Sequence, residues 1–391
     1  MNDVSAASQP SITRAEHATA MKAYQEEGVR VAAKIGNRGP VRFGPDGKLH
    51  RDIVEAYWKH GFYIFEGVIE QGELAELRQG CMEMLERAPV RKGATVDAKG
   101  RPALGQGFAR PAYYLTKPLS DPHGGTQDLG GRHPTKMSEP QADEEAPEDV
   151  VLRMYGMCQA IPAALRVYGQ PHLLLVAEAI NGEDFVPYND VIFVKQPGLG
   201  PSVSWHQDGV THWNSPDWDE GIHGFNFQVQ LYATTPANAL WIIPGSHKQG
   251  KADIRRMVEE NGGSDELPGA MPLVCNAGDV TAVNRQMLHG SFANSSPDMR
   301  MSITFGFHRR RSVLGQIPAL GMAGEKKPMD ETRIERRSAV VQVAIDARHR
   351  RFPDETPFRY RPFAGREDKF RYSEEIFEQV VRDYNLYDLA I

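Results

Sequence analysis

Apolar residues first fall into helical register at Ile53, Val54, Tyr57 and Trp58, and again at Leu74, Leu77, Cys81, Met84 and Leu85. That spacing predicts two amphipathic helices. Gly61 can end the first in a left-handed cap, and Phe62-Tyr63-Ile64-Phe65 after it reads as a buried strand. Upstream, residues 13–34 mix alanines with charges and predict a helix with little apolar stripe. Residues 1–9 are small and polar, and are expected to be disordered. Residues 89–148 lose periodicity and are rich in Gly, Pro, Asp and Lys. Such a stretch inside a compact domain is an irregular insertion, functional or disordered, and here it is a candidate lid that orders on substrate binding. Residues 150–168 read as helix. From residue 173 to about 308 the pattern changes to short apolar runs separated by Gly, Pro, Asn and Asp, the mark of an all-β region. Two helices are predicted beyond it, at 331–348 and 373–386. The second carries Ile376, Phe377, Val380, Val381 and Tyr384 on one face, for packing on the β region or, alternatively, for a homodimer contact.

The 391 residues are 40% hydrophobic and 25% charged, enough for a large core. The expected organisation is an N-terminal extension over 1–50, a mainly β domain over 51–310 with the insertion at about 89–149, and a C-terminal helical extension over 311–391. A net charge of −6 leaves no basic surplus for phosphates, so nucleic acid is not expected as a partner. Cys81, Cys158 and Cys275 are odd in number and far apart, which indicates neither a disulfide framework nor a zinc knuckle. No stretch approaches the roughly 18 apolar residues of a membrane span, and no secretory signal is visible at the N-terminus. The final residues, 388–391, are not a peroxisomal address. A cytoplasmic, reducing setting is expected.

Candidate chemistry lies in the β region. Ser204-Trp205-His206-Gln207-Asp208-Gly209 contains a His-x-Asp pair. Residues i and i+2 of a strand share a face, so His206 and Asp208 can present an imidazole and a carboxylate to one metal. Taken alone, such a pair is weak, because a chain with 13 histidines meets it by chance. A second segment strengthens it. A strand entering at Gly278-Asp279 is expected to run through His289-Gly290-Ser291, turn at Asn294-Ser295-Ser296-Pro297-Asp298, and return over 299–307. Centred between 295 and 296, that hairpin would set Arg300 opposite Ser291, on the face carrying His289, with Ser302 on the same face. Two histidines and one carboxylate form the facial triad of non-haem Fe(II) oxygenases, which leaves positions open for a 2-oxo acid and O₂. An inward arginine calls for an anion, and the C5 carboxylate of 2-oxoglutarate fits its planar fork.

These motifs resemble those of the phytanoyl-CoA dioxygenase family. His206-Gln207-Asp208 looks like its first iron motif. Asn238-Ala239-Leu240-Trp241-Ile242-Ile243-Pro244-Gly245-Ser246-His247 resembles its Asn-Gly-x-Leu-x-x-x-Pro-Gly-Ser-His signature, and His289-Gly290-Ser291 with Arg300-x-Ser302 resembles the third. Lys195-Gln196-Pro197-Gly198 and the helix–Gly–strand opening over 57–68 match as well. The resemblance is strong over 191–308 and weaker over 53–85. Two departures stand out: Ala239 replaces a glycine, and Tyr232-Ala233 replaces an acidic pair. The resemblance implies a double-stranded β-helix with flanking helices. It implies Fe(II) on His206, Asp208 and His289, and 2-oxoglutarate on Arg300, Ser291 and Gln228, with Ser302 beside them. His247 is expected in a loop, away from the metal.

The chemistry so implied is hydroxylation of an unactivated C–H bond, with O₂ consumed and succinate and CO₂ released. Asp208 argues against halogenation, which needs a small residue there, and leaves desaturation by the same oxidant open. The substrate is expected to be a small, apolar organic molecule against Trp205, His212 and Trp213; a CoA thioester rests on analogy alone. Two other classes compete. A zinc hydrolase could use the same ligands but gives the arginine no role, and a non-catalytic binding protein would not need an intact ligand set.

Overall fold

The computed structural model describes residues 12–319 and 327–386. The disorder expected for residues 1–9 and the reading of residues 388–391 lie outside the described residues. Twelve strands among them build two sheets. They are β1 (Arg38–Gly39), β2 (Phe62–Phe65), β3 (Tyr113–Thr116), β4 (Val150–Met154), β5 (Val186–Lys195), β6 (Val203–His206), β7 (Phe225–Gln230), β8 (Trp241–Ile242), β9 (Met271–Pro272), β10 (Val280–Asn284), β11 (His289–Ser291) and β12 (Arg300–His308). The large sheet runs β1-β2-β10-β7-β12-β5-β4-β3 and the small one β6-β11-β8-β9. From β5 onward the chain passes back and forth between the two. That path is a double-stranded β-helix, with its large sheet widened at both edges.

Alternation of side chains decides what each face meets. Phe225, Phe227 and Val229 of β7 lie with Ile303, Phe305 and Phe307 of β12 in the main core, which also holds the helices Pro162–Val167, Pro171–Asn181 and Glu331–Arg351. Each such burial stabilises by about 2 kcal/mol. The intervening Gln228 and Gln230 are only 7% and 2% exposed, so the opposite face is an interior, not a solvated surface. On the outside of the small sheet, Trp205, Trp241 and Phe292 form a second core. The helix Lys22–Ile35 closes it. Tyr24 stacks on Trp241 at 4.7 Å, and a Cβ on Gly28 would come within 2.6 Å of the same indole.

Several elements differ from expectation. The stretch after residue 150 is not one helix. Its apolar run Val150-Val151-Leu152 pairs into the sheet as β4, and Gly156, at φ 82°, breaks the chain before the short helices Met157–Ala160 and Pro162–Val167. The β region begins later than 173, because Pro171 and the Gln170 cap start a helix there. The insertion is not wholly irregular, since β3 pairs with β4. The last predicted helix shrinks to Glu374–Ile376 and the π-helical turn Phe377–Val381, with Val381 and Tyr384 packed in the main core.

The expected hairpin does not form. Residues 285–288 interrupt the strand, β11 pairs with β6 and β8, and β12 pairs with β5 and β7. Ser291 therefore lies opposite Val203, and Arg300 opposite Lys195. The pattern of apolar runs could not reveal that consecutive strands switch sheets. No helix among the described residues is long and apolar enough to cross a membrane.

Candidate metal centre and cavity

His206 and His289 are direct partners in the β6–β11 ladder, and their rings lie 4.0 Å apart. Asp208 does not share the strand as expected, because β6 ends at His206. Its backbone N–H donates to the Arg285 carbonyl at 2.9 Å, and the bend still brings its Oδ1 to 3.8 Å from His206 Nε2. One ligand atom from each of His206, Asp208 and His289 lies within 4.8 Å of the others. A second His-x-Asp pair, His50 and Asp52, sits at the N-terminus of the helix Arg51–His60 and is not part of this cluster.

The donor set suits a divalent metal. His206 Nδ1 donates to the Ser204 carbonyl and His289 Nδ1 to the Met287 carbonyl, each at 2.8 Å. Those bonds fix the tautomer and leave each Nε2 lone pair for coordination. Burial holds both imidazoles neutral, below their ordinary pKa. Burial alone would raise the Asp208 carboxyl, but the Arg132 and Arg285 guanidinium groups keep it below the usual carboxylate range. Its Oδ1 accepts from Arg132 Nη1 at 2.6 Å and its Oδ2 from Asn226 Nδ2 at 3.2 Å.

The Pro244-Gly245-Ser246-His247 segment buttresses this arrangement. Gly245 adopts φ 80°, Ser246 Oγ accepts the Leu288 N–H at 2.9 Å, and the Ile243 N–H donates to the Leu288 carbonyl at 3.0 Å. The residue before His289 is thereby clamped from both sides. His247 itself is buried against the Trp58 carbonyl and is no part of the cluster.

Arg300 is buried, and burial lowers its pKa to about 10. Its Nη2 donates to Gln228 Oε1 and its Nη1 to the Asn238 carbonyl, both at 3.3 Å, while Nε has no partner. A cation this deep, held by neutral acceptors, suits a carboxylate ligand. Arg300, Gln228 and Ser291 all line a cavity of about 390 Å³ together with the His206–Asp208–His289 cluster. Ser302 is buried nearby but is not part of the lining; Thr304, two residues on along the strand, takes that place. Lys195 also lies outside it. Its Nζ donates to the Ser291 and Phe292 carbonyls and ties the end of β11 to the large sheet.

The aromatic wall expected from Trp205, His212 and Trp213 is not found at the cavity. Trp205 faces the opposite side of the small sheet and donates to the Asp265 carbonyl at 2.7 Å. His212 bonds the Ser312 carbonyl at 2.7 Å, and Trp213 stacks on Trp218. The cavity is roofed instead by Arg110, His123, Leu129, Arg132 and His133 from the insertion, and walled by Arg153, Tyr155 and Tyr188. His133 lies over His206, with ring centroids 4.1 Å apart. None of these belongs to a recognisable local motif, so sequence reasoning passed over them.

A profile of the phytanoyl-CoA dioxygenase (PhyH) family matches residues 57–302. Phytanoyl-CoA dioxygenase 1 of Oryza sativa subsp. japonica is 31% identical over 118 residues, which cover 28% of this chain and 40% of that protein. The phytanoyl-CoA dioxygenase of Arabidopsis thaliana is 32% identical over 115 residues, 27% of this chain and 38% of that one. The chain thus spans about two fifths of the length of the curated relatives it matches. Among solved structures, EctD from S. alaskensis with 2-oxoglutarate and 5-hydroxyectoine is similar at 18% identity and a TM-score of 0.46, over 70% of this chain and 81% of that one.

Proposed function

The chain belongs to the phytanoyl-CoA dioxygenase (PhyH) family of Fe(II)- and 2-oxoglutarate-dependent oxygenases, and on that premise we propose that it hydroxylates a C–H bond of a small organic substrate. One O₂ and one 2-oxoglutarate are consumed; one oxygen atom enters the substrate as hydroxyl, the other enters succinate, and CO₂ leaves. The observation that carries the reading is the meeting of two tautomer-locked imidazoles, an ionised carboxylate and a buried, carboxylate-free guanidinium around one cavity.

His206, Asp208 and His289 would hold the iron, which when bound supplies the activation of dioxygen. Around it, the chain's own residues position and exclude. The Ser204 and Met287 carbonyls keep the two Nδ1 protons in place, so each ring offers a lone pair at a fixed angle. Asn226 and Arg132 each take one oxygen of Asp208, which orients the carboxylate and keeps it ionised. Arg300 would grip the far carboxylate of 2-oxoglutarate, with Gln228 and the Asn238 carbonyl aiming the guanidinium. Ser291 and Thr304 add hydroxyls to the same cavity. The walls, largely buried, limit water and so protect the oxidising step from side reactions. A zinc hydrolase on the same ligands would leave Arg300 without a role.

Isothermal titration of 2-oxoglutarate into the Mn(II)-loaded protein, followed by succinate measurement with Fe(II), tests this. Mn(II)-dependent binding and Fe(II)-dependent succinate release are expected. Hydrolytic activity with zinc, and no 2-oxoglutarate binding with either metal, would replace the reading.

A further inference from the structure

The proposed co-substrate accounts for one cation of the cavity. Four arginines line it, Arg110, Arg132, Arg153 and Arg300, against a single carboxylate, Asp208. Arg132 is paired with Asp208, and Arg300 is set for 2-oxoglutarate. Arg110 and Arg153 are left with no carboxylate at ion-pair distance among the described residues. Arg110 is buried and stacked 3.6 Å above the Tyr155 ring; it bonds the Asn385 carbonyl at 3.3 Å and the Tyr155 side chain, and the buried Asp190 carboxylate near it stays beyond ion-pair distance. Arg153 lies 4.4 Å over the Tyr114 ring and donates through Nη2 to His123 Nε2 at 2.5 Å, while its Nε has no partner. A guanidinium out of water calls for an anion far more than for a π-face or a single carbonyl.

Sheet register places Arg153 apart from Arg300. Ser302, Phe193, Arg153 and Tyr114 form one cross-strand row over β12, β5, β4 and β3. At about 4.8 Å per strand, the backbone of Arg153 is roughly 10 Å from that of Ser302. The contacts of Arg153 point to β3 and the insertion, whereas those of Arg300 point to β7 and Asn238. Leu129, Val191, Phe193, Val203 and Leu240 add apolar lining to the same cavity. The volume, about 390 Å³, is near the lower end of the range of roughly 300–1,000 Å³ for small-molecule sites.

We propose that the primary substrate is a small organic oxyanion, a carboxylate or a phosphate monoester, whose charged end is held by Arg110 and Arg153 while its apolar body lies against the apolar lining, toward the His206–Asp208–His289 cluster. This inference rests on the oxygenase reading and deepens it. It also replaces the expectation of an apolar substrate, because a neutral molecule would give neither the buried Arg110 nor the half-buried Arg153 a counter-charge within the cavity.

The test uses the full chain loaded with Mn(II) and saturating 2-oxoglutarate. Small carboxylic acids and phosphate monoesters, each with its neutral counterpart (primary amide or parent alcohol), are screened by ligand-observed NMR and ranked by calorimetry. Binding confined to charged members, at least 10-fold tighter than their neutral partners, is expected, and the charged set that binds identifies the source. Arg153→Gln and Arg110→Gln should each weaken the best anion by about 10- to 100-fold, with Arg153→Lys recovering part of the loss. Melting temperatures identify a variant that fails to fold, and the more exposed Arg153 then carries the test. Equal binding of charged and neutral members, or no anion bound, overturns the inference while Mn(II)-dependent 2-oxoglutarate binding leaves the oxygenase reading standing. Loss of that binding in the wild-type protein overturns both.

Discussion

His206 and His289 face each other on paired strands, whereas Arg110, Arg132 and His133, which line the same cavity, are carried on loop backbone. In the first region, ladder geometry sets the spacing of the rings, and one backbone carbonyl per ring sets the angle. In the second, position depends on single side-chain bonds. The buried Asp121 carboxylate accepts the N–H groups of His123, Gly124 and Met137 and the Ser204 hydroxyl, and His133 Nδ1 reaches the Ser204 carbonyl at 3.2 Å. A strand pair tolerates a local change that a loop held by one carboxylate does not. The contrast suggests a division of labour: rigid strands for chemistry common to a family, loop-borne cations for the choice of substrate.

Four measurements test that contrast. Asp208→Ala should reduce succinate formation by at least about 10³-fold by removing the carboxylate beside the paired histidines; wild-type-like succinate release would end the distinction. Arg300→Gln should raise the 2-oxoglutarate KM by about 10- to 100-fold, with metal affinity much less affected; titration of metal and co-substrate separates the two. Arg132→Gln acts from the roof on the carboxylate orientation and should weaken Mn(II) binding by about 10-fold, as outer partners of metal ligands do. A loss as deep as that of Asp208→Ala would place the roof among the chemical machinery.

The smallest effect concerns pH. Burial, and then the charges of Arg153 and Arg132, push the His123 imidazole down to about 3, against about 6.5 in an unfolded chain. Between those values the unfolded state binds the extra proton, so this contribution to stability is complete above about 6.5 and is lost as pH falls toward 3. The melting temperature should drop by roughly 2–4 °C from this residue between pH 7 and 5, and His123→Gln should flatten that part of the profile in calorimetry.

The strand-side half was legible because its chemistry is written in short spacings. His206-x-Asp208 and His289-x-Ser291 each lie within three residues, and Arg300 follows soon after. Even so, these neighbours meet by a different route from the predicted hairpin. Ser291 and Arg300 line one cavity from two sheets, not from one hairpin. Period-two alternation names a face but not the sheet that owns it. The roof was illegible for a different reason. Arg110 lies in the stretch without periodicity and Arg153, 43 positions on, in a run that read as helix; the pairing of β3 with β4 brings their surroundings together. Trp205 misled because an indole beside a metal motif fits an outer core as well as a cavity wall; its alternate placement from His206 already put it on the other face.

Gly28 extends the reach of the site well beyond its lining. The helix Lys22–Ile35 can lie flat on Trp241 only because that position has no side chain, and Trp241 pairs with Gly290, the neighbour of His289. A methyl group there would wedge the helix outward and let the ribbon bearing one imidazole sag. The helix of the N-terminal extension thus acts as a splint for the edge that carries His289.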